Sequence, residues 1–310
     1  MVPVSKVTDG TYMIDVQRGV PTMSVTAYLV MGHRAALIET GPSVAVPLLL
    51  EGMRQIGYDP IHLSYIIVTH VHADHAGGVG TLVQTLPQAQ VIVHRRGARH
   101  LIDPSQLIES TRQVARQTRA GHFDGVSGPI LPVAEDKVSA VSGDDVIPLG
   151  GRELKIVNAP GHAPHHICIH DSQTNGVFSG DALGILSQGG ERPFPTVVPP
   201  GYDLEAHIDT LRRIRELAPS VLFFSHFGPH HRVTQLIDMA EQDIEVYGRI
   251  VLEAMKDKAS FAEIERRLEA HRHSLGIHYD VEVDFKLMAA GFITYFKRTD
   301  PGLEYHSALG

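Results

Sequence analysis

Short apolar runs separated by turn residues fill the first part of the chain and predict β-strands. The runs GTYMIDV (10–16), SVTAYLVM (24–31) and AALIET (35–40) are bounded by glycine, proline and polar residues, and a Gly-Val-Pro turn (19–21) joins the first two. The run SYIIVTH (64–70) is continuous rather than alternating and ends in polar residues. That pattern is typical of a strand buried on both faces.

Farther along the chain, strand-like apolar runs alternate with segments that have the periodicity of a helix. Further strands are predicted at 89–94, 165–171, 176–182 and 221–226, with a β-hairpin at 145–159 around two glycines. Apolar residues at three- and four-residue spacing predict helices at 44–56, 77–86, 95–102, 104–119, 204–217, 234–256, 260–272 and 284–297. This order favours an α/β protein with sheets inside and helices outside.

The chain length and the position of the polar motifs suggest one large domain with an appendage. We expect a catalytic domain at 1–232, in which 103–134 forms an insertion or cap, followed by a helical C-terminal region at 233–310. A homodimer through the helical region or the insertion is an arrangement that the sequence allows. The helix-turn-helix rhythm of 249–270 does not indicate DNA binding, because the segment is not strongly basic.

Composition excludes several classes of protein. The net charge of −8 disfavours a nucleic-acid partner, and the absence of a long apolar run disfavours a membrane span. A single cysteine, Cys168, excludes disulfide frameworks and thiolate-rich metal sites. The first residues lack the pattern of a secretory signal, so a cytoplasmic location is expected.

Histidine is the exception in this ordinary composition. The chain has 20 histidines, and many of them are clustered near residues 70, 162 and 226. Because neutral imidazole is a common metal ligand, this clustering indicates a metal site. The motif HVHADH (70–75) places four potential ligands in six residues directly after a predicted buried strand. An accidental spacing of this kind in a polar loop is a poor alternative.

Three single residues follow other strand-like runs in the same way. They are His162, Asp181 and His226, and strand ends of this kind can converge on one rim of a sheet. Each alone would be a weak signal, and Asp181 could equally be a helix N-cap. The neighbouring histidines are expected to surround the ligands or to be solvated; they are His165, His166, His230 and His231.

In their order and spacing, the motifs THVHADH, GH, GDA and SH resemble the metallo-β-lactamase superfamily over about residues 8–232. Within it, the segments HAPHH (162–166) and HFGP (226–229) resemble a branch of archaeal and bacterial hydrolases, to which hydroxyacylglutathione hydrolases and acyl-homoserine lactonases are more distantly related. The resemblance implies a four-layer αββα sandwich of two mixed sheets.

The resemblance also implies a two-metal centre, with zinc expected first and iron or manganese as alternatives. His70, His72 and His162 would hold one ion. Asp74, His75 and His226 would hold the other. Asp181 would bridge the two ions, and Asp74 would in addition act catalytically by accepting or relaying the proton of the nucleophile.

The implied function is hydrolysis of a small-molecule ester, thioester, lactone or phosphoester by a metal-bridging hydroxide. Two alternatives stay open: a single-iron oxidoreductase similar to persulfide dioxygenases, and a non-catalytic metal-binding regulatory protein. The sequence departs from the family at Glu39-Thr40-Gly41, where many relatives carry Asp-Thr-Gly. Glu39 is expected to contact a metal-bound histidine through its longer side chain.

Overall fold

Two mixed β-sheets form the centre of the molecule. The computed structural model describes residues 2–16, 25–117, 128–186, 190–276 and 284–303. The first sheet has the order β1-β2-β3-β4-β5-β6-β7, with antiparallel pairing up to β4 and parallel pairing from β4 onward. Its strands are β1 (Val4–Thr8), β2 (Thr11–Asp15), β3 (Thr26–Met31), β4 (Ala35–Ile38), β5 (Tyr65–Ile67), β6 (Gln90–His94) and β7 (Val138–Val141).

The second sheet has the order β13-β12-β11-β10-β9-β8 and is antiparallel except between β11 and β12. Its strands are β8 (Val146–Pro148), β9 (Glu153–Asn158), β10 (Ile167–Asp171), β11 (Gly176–Gly180), β12 (Val221–Phe224) and β13 (Pro229–His230). The hairpin predicted around Gly150-Gly151 is confirmed as the β8–β9 pair. Strands β1, β7 and β13 were not predicted, because they are short or lie at the sheet edges.

Helices cover the outer faces of both sheets. They are α1 (Val46–Gln55), α2 (Ala73–Ala76), α3 (Val79–Thr85), α4 (Arg95–Ile102), α5 (Ser105–Gln117), α6 (Leu204–Glu216), α7 (Val233–Lys256), α8 (Phe261–Ser274) and α9 (Phe285–Thr299). The predicted helices are confirmed, with ends that differ by a few residues. The Gly-Val-Pro turn and residues 118–127 of the predicted insertion lie outside the described residues.

The buried apolar residues divide into layers, which confirms the four-layer αββα sandwich. On β5, Ile66 packs toward α1 and α3, whereas Ile67 packs between the two sheets. On β12, Phe223 packs between the sheets and Leu222 packs toward α6 and α7. Strands with both faces buried need apolar residues at successive positions, which is why their sequence runs are continuous rather than alternating.

The C-terminal helices are joined to the sandwich by one long helix. The first half of α7 buries Leu236 and Ile244 against the second sheet. Its second half buries Tyr247 and Val251 with α8 and α9 in a separate apolar cluster that also contains Tyr202. Tyr202 is therefore a core residue. In the described part of the chain, no helix is long and apolar enough to span a bilayer.

A buried ion pair links the β8–β9 hairpin to both sheets. The guanidinium of Arg152 donates to both carboxylate oxygens of Asp171 on β10, at 2.7 and 2.6 Å. It also donates to the hydroxyl of Thr11 on β2 at 2.6 Å and to the carbonyl of Gly10, in the turn between β1 and β2 of the first sheet, at 3.1 Å. Removing one member of such a pair leaves an uncompensated buried charge.

Replacing Arg152 with Met is therefore expected to lower the free energy of unfolding by about 3–5 kcal/mol, because Asp171 would stay buried without its cation. The measurement is urea-induced unfolding followed by circular dichroism. Lys155→Met is the matched control, since the ion pair of Lys155 with Asp144 is exposed and worth about 0–1 kcal/mol. Equal losses in the two variants would contradict the assigned role of Arg152.

Candidate metal centre

The seven residues predicted as ligands lie together at the ends of four strands. His70, His72, Asp74 and His75 follow β5 of the first sheet. The other three, His162, Asp181 and His226, follow β9, β11 and β12 of the second sheet. The strand ends that precede the three single residues thus belong to one sheet, and the strand before the HVHADH motif belongs to the other. The cluster lies where the corresponding edges of the two sheets meet.

The loop after β5 is held in place by the end of β4. The carbonyl of His75 accepts hydrogen bonds from the backbone N–H and the hydroxyl of Thr40, both at 2.9 Å. A Cβ atom at Gly77 would lie 2.3 Å from the carbonyl oxygen of Ala73, so only glycine fits there. These contacts explain why the motif is followed by glycine.

His70, His72 and His162 form one group, in which the candidate ligand atoms all lie within 4.8 Å of one another. Nε2 of His162 lies 2.9 Å from Nδ1 of His72. Nδ1 of His162 lies 2.8 Å from the carbonyl oxygen of Thr196, which requires the proton on Nδ1. The lone pair of Nε2 therefore points into the group, the orientation that a metal ligand needs.

Asp74, His75 and His226 form a second group under the same 4.8 Å limit. Nε2 of His75 lies 3.4 Å from Oδ2 of Asp74. Asp181 lies between the two groups, because its Oδ1 is 3.3 Å from Nε2 of both His75 and His226, whereas its Oδ2 is 3.6 Å from Nε2 of His162. Each carboxylate oxygen of Asp181 thus faces a different group.

Burial keeps several of these imidazoles in the neutral form that binds metals. Burial and the neighbouring imidazoles hold the pKa of His70 well below its usual value, and burial lowers the pKa of His72 to about 3. Burial also lowers the pKa of His162, although Asp181 opposes the shift. Burial acts in the same direction on His75, but there Asp74 and Asp181 outweigh it and raise the pKa well above the usual value.

The carboxylates of the cluster are held in their charged form. Burial alone would raise the pKa of Asp181, but His75 and His162 more than reverse this effect and lower it well below the usual value. The pKa of Asp74 is lowered in the same way, because the nearby charge of His75 outweighs burial. Charged carboxylates beside neutral imidazoles provide the donor types that divalent cations bind.

Buried donor atoms without partners show that the arrangement fits metal ions. They are His70 Nε2, His75 Nε2, His226 Nε2 and Asp181 Oδ1, none of which has a hydrogen-bond partner among the described residues. Buried polar atoms are almost always paired, because desolvation without a partner is costly. The donors are nitrogen and oxygen only, a set that suits zinc, iron or manganese.

Glu39 contacts His75 on the side of the ring that faces away from the other ligand candidates. Its side chain is fully buried, and Oε1 lies 3.3 Å from Nδ1 of His75. The same oxygen accepts hydrogen bonds from the hydroxyls of Thr69, at 2.5 Å, and Ser225, at 3.0 Å. The expected contact between Glu39 and a histidine of the motif is therefore present, and it joins the strand ends of both sheets.

Two further residues orient members of the cluster. His166 accepts a hydrogen bond at 3.1 Å from the backbone N–H of Asp181, as expected for a histidine near that carboxylate. Thr196 was not identified from the sequence, although its carbonyl orients His162 and its hydroxyl donates to the carbonyl of Asp181 at 2.9 Å. Backbone acceptors leave no signal in a sequence. Cys168 is buried in β10 and belongs to neither group.

Comparison with known proteins shows close similarity to one family. A family model described as the metallo-beta-lactamase superfamily matches residues 20–226. The metallo-beta-lactamase fold-containing protein ST1585 of Sulfurisphaera tokodaii is 30% identical over 166 residues, which cover 54% of this chain and 61% of that protein. The solved structure of ST1585 aligns with a TM-score of 0.61 at 25% identity, covering 77% of this chain and 86% of that one.

Two other relatives are similar over shorter segments. An acyl-coenzyme A thioesterase, MBLAC2 of Gallus gallus, is 34% identical over 125 residues, or 38% of this chain and 40% of that protein. An N-acyl homoserine lactonase of a Bacillus species is 28% identical over 181 residues, or 56% of this chain and 60% of that protein. The chain spans less than two thirds of the length of each of these curated relatives. The family model, in contrast, matches more than half of the chain, and the protein therefore belongs to the metallo-β-lactamase superfamily.

Proposed function

We propose that the protein is a binuclear metal-dependent hydrolase that cleaves esters, thioesters or lactones. The arrangement that carries this proposal is the pair of three-residue groups with Asp181 between them, one carboxylate oxygen facing each group. His70, His72 and His162 would hold one divalent cation, and Asp74, His75 and His226 would hold the other. Zinc is the first candidate.

Two such cations, when bound, supply a hydroxide nucleophile at neutral pH and polarise the substrate oxygen. The chain itself supplies the remaining functions. Of the seven cluster residues, His72 and Asp74 are partly exposed and the others are buried. The substrate would therefore approach from the side of Asp74, whose charged carboxylate is placed to accept and relay a proton.

The relatives favour acyl substrates. Two of them are named for hydrolysing acyl groups, one a thioester of coenzyme A and the other a lactone. Both reactions pass through a tetrahedral oxyanion at an acyl carbon, which positive charge stabilises. We therefore place carboxylic esters, thioesters and lactones ahead of phosphoesters for this chain.

The second group of ligands supports this proposal, and its metal content distinguishes it from the alternatives, because a persulfide-dioxygenase-like oxidoreductase would keep Asp74 and His75 without a metal there. A single-iron oxidoreductase would need only one of the two groups. A structural metal site is normally closed by four ligands, whereas this cluster offers seven and is partly open. The cytoplasmic location and the homodimer stay predictions.

Protein purified without chelator is expected to contain about two equivalents of divalent metal per chain, with zinc the main element, because one group offers three nitrogen donors and the other offers two nitrogen donors and a carboxylate. The measurement is elemental mass spectrometry. His226→Ala is expected to lose about one equivalent, whereas His230→Ala, on the same segment but outside both groups, should keep two. About one equivalent of iron alone would contradict the binuclear proposal and favour the oxidoreductase.

Asp74→Asn is expected to lower kcat/KM for a thioester or lactone by at least about 100-fold, because the amide can neither accept the proton nor contribute a charge to the centre. Activity and metal content are measured on the same preparation. Asp144→Asn, at an exposed position, is the matched control and should retain activity. Activity of Asp74→Asn within a few-fold of the unchanged protein would refute the assigned role of Asp74.

A further inference from the structure

A cationic cleft lies beside the candidate metal centre. Its cavity of about 420 Å³ is lined by Arg95, Arg96, Arg99 and His100 of α4, together with Pro164 and His165. A cavity of this size is in the range that binds small molecules. None of its lining residues belongs to the two ligand groups.

One imidazole ring separates the cleft from the centre. The ring of His165 lines the cleft, and its centroid lies 6.4 Å from that of His70 and 6.0 Å from that of His72. On the cleft side, the same ring lies 6.3 Å from His100. The cleft is therefore one side chain away from the centre.

Close packing fixes α4 against the ligand loop. A Cβ atom at Gly97 would lie 2.9 Å from Cγ1 of Val71, in the middle of the HVHADH motif, and 3.6 Å from Cβ of His165. Glycine at this position allows the helix to lie directly on the loop. The distance between the arginines and the centre is thus set by a rigid contact.

Within the described parts of the chain, no carboxylate is paired with the cationic side chains of the cleft. Among the described residues, Arg95, Arg96 and Arg99 form no ion pair; Arg96 donates to the carbonyl of Pro164 at 3.5 Å and Arg99 to His100 at 3.2 Å. The first turn of α4 contains no acidic residue, although the helix dipole favours negative charge there. An anion would compensate both the guanidiniums and the helix terminus.

We propose that this cleft binds a phosphate group of the substrate, at a distance from the bond that is hydrolysed. The inference rests on the proposed hydrolase function and names its substrates as small phosphorylated acyl compounds. Guanidinium groups match the geometry of phosphate oxygens and bind them with charge-assisted hydrogen bonds. The chain as a whole carries a net charge of −8, which disfavours binding of an anion, and a local cationic site offsets this effect.

The first test measures binding without catalysis. Inorganic phosphate is titrated into the metal-loaded protein by isothermal titration calorimetry. We expect a binding event that Arg95→Gln/Arg99→Gln weakens at least about tenfold, whereas Arg54→Gln/Arg249→Gln, with the same change of charge at exposed positions of α1 and α7, leaves it unchanged. Equal affinity in all three proteins, or no binding to the unchanged protein, would overturn the proposal.

The second test uses two thioesters that differ only in a phosphate: S-acetylpantetheine and S-acetyl-4′-phosphopantetheine. The unchanged protein is expected to show a KM at least about tenfold lower for the phosphorylated compound. Arg95→Gln/Arg99→Gln should lose this preference and hydrolyse the unphosphorylated compound as before. Equal KM values in the unchanged protein would overturn the phosphate site. Failure to hydrolyse either compound would instead count against the proposed thioesterase function, and the phosphate titration would then decide the site.

Discussion

The seven ligand candidates are packed so closely that their charges and lone pairs need cations to balance them. Asp74 and Asp181 stay charged, while burial keeps His70 and His72 neutral. Without cations, the carboxylates have His75 as their main nearby positive charge, and several buried donor atoms have no partner. Burying these polar groups is unfavourable, and the packing of the two sheets and their helices must offset that free-energy cost.

The two-sheet sandwich makes this concentration of donors possible. A single sheet would spread its strand ends along one edge, about 4.8 Å apart. Here the ends of β5 and of β9, β11 and β12 converge from two packed sheets, and Glu39 connects hydroxyls from both of them. The Arg152–Asp171 pair also crosses between the sheets, and it helps to fix their relative position.

The proposed catalytic centre and the proposed phosphate cleft lie in different parts of the molecule. Five of the seven ligand candidates are buried at the strand ends, where close packing sets their geometry. The arginines of α4 are exposed and can change without disturbing the ligands, although Gly97 holds their helix against the ligand loop. Such a division allows related proteins to keep one centre and differ in the acyl compounds that they accept.

The sequence by itself predicted the strands and most of the helices, and the resemblance of its motifs to one family implied the sandwich and all seven members of the cluster. Continuous apolar runs identify strands that are buried on both faces, and the spacing of His70, His72, Asp74 and His75 is specific enough to stand out locally. The tertiary structure alone decided which sheet supplies each ligand, that Thr196 orients His162 through a backbone carbonyl, and that the arginines of α4 face a cleft beside the centre. These features depend on contacts between residues far apart in the chain, and periodicity and spacing describe only neighbours along it.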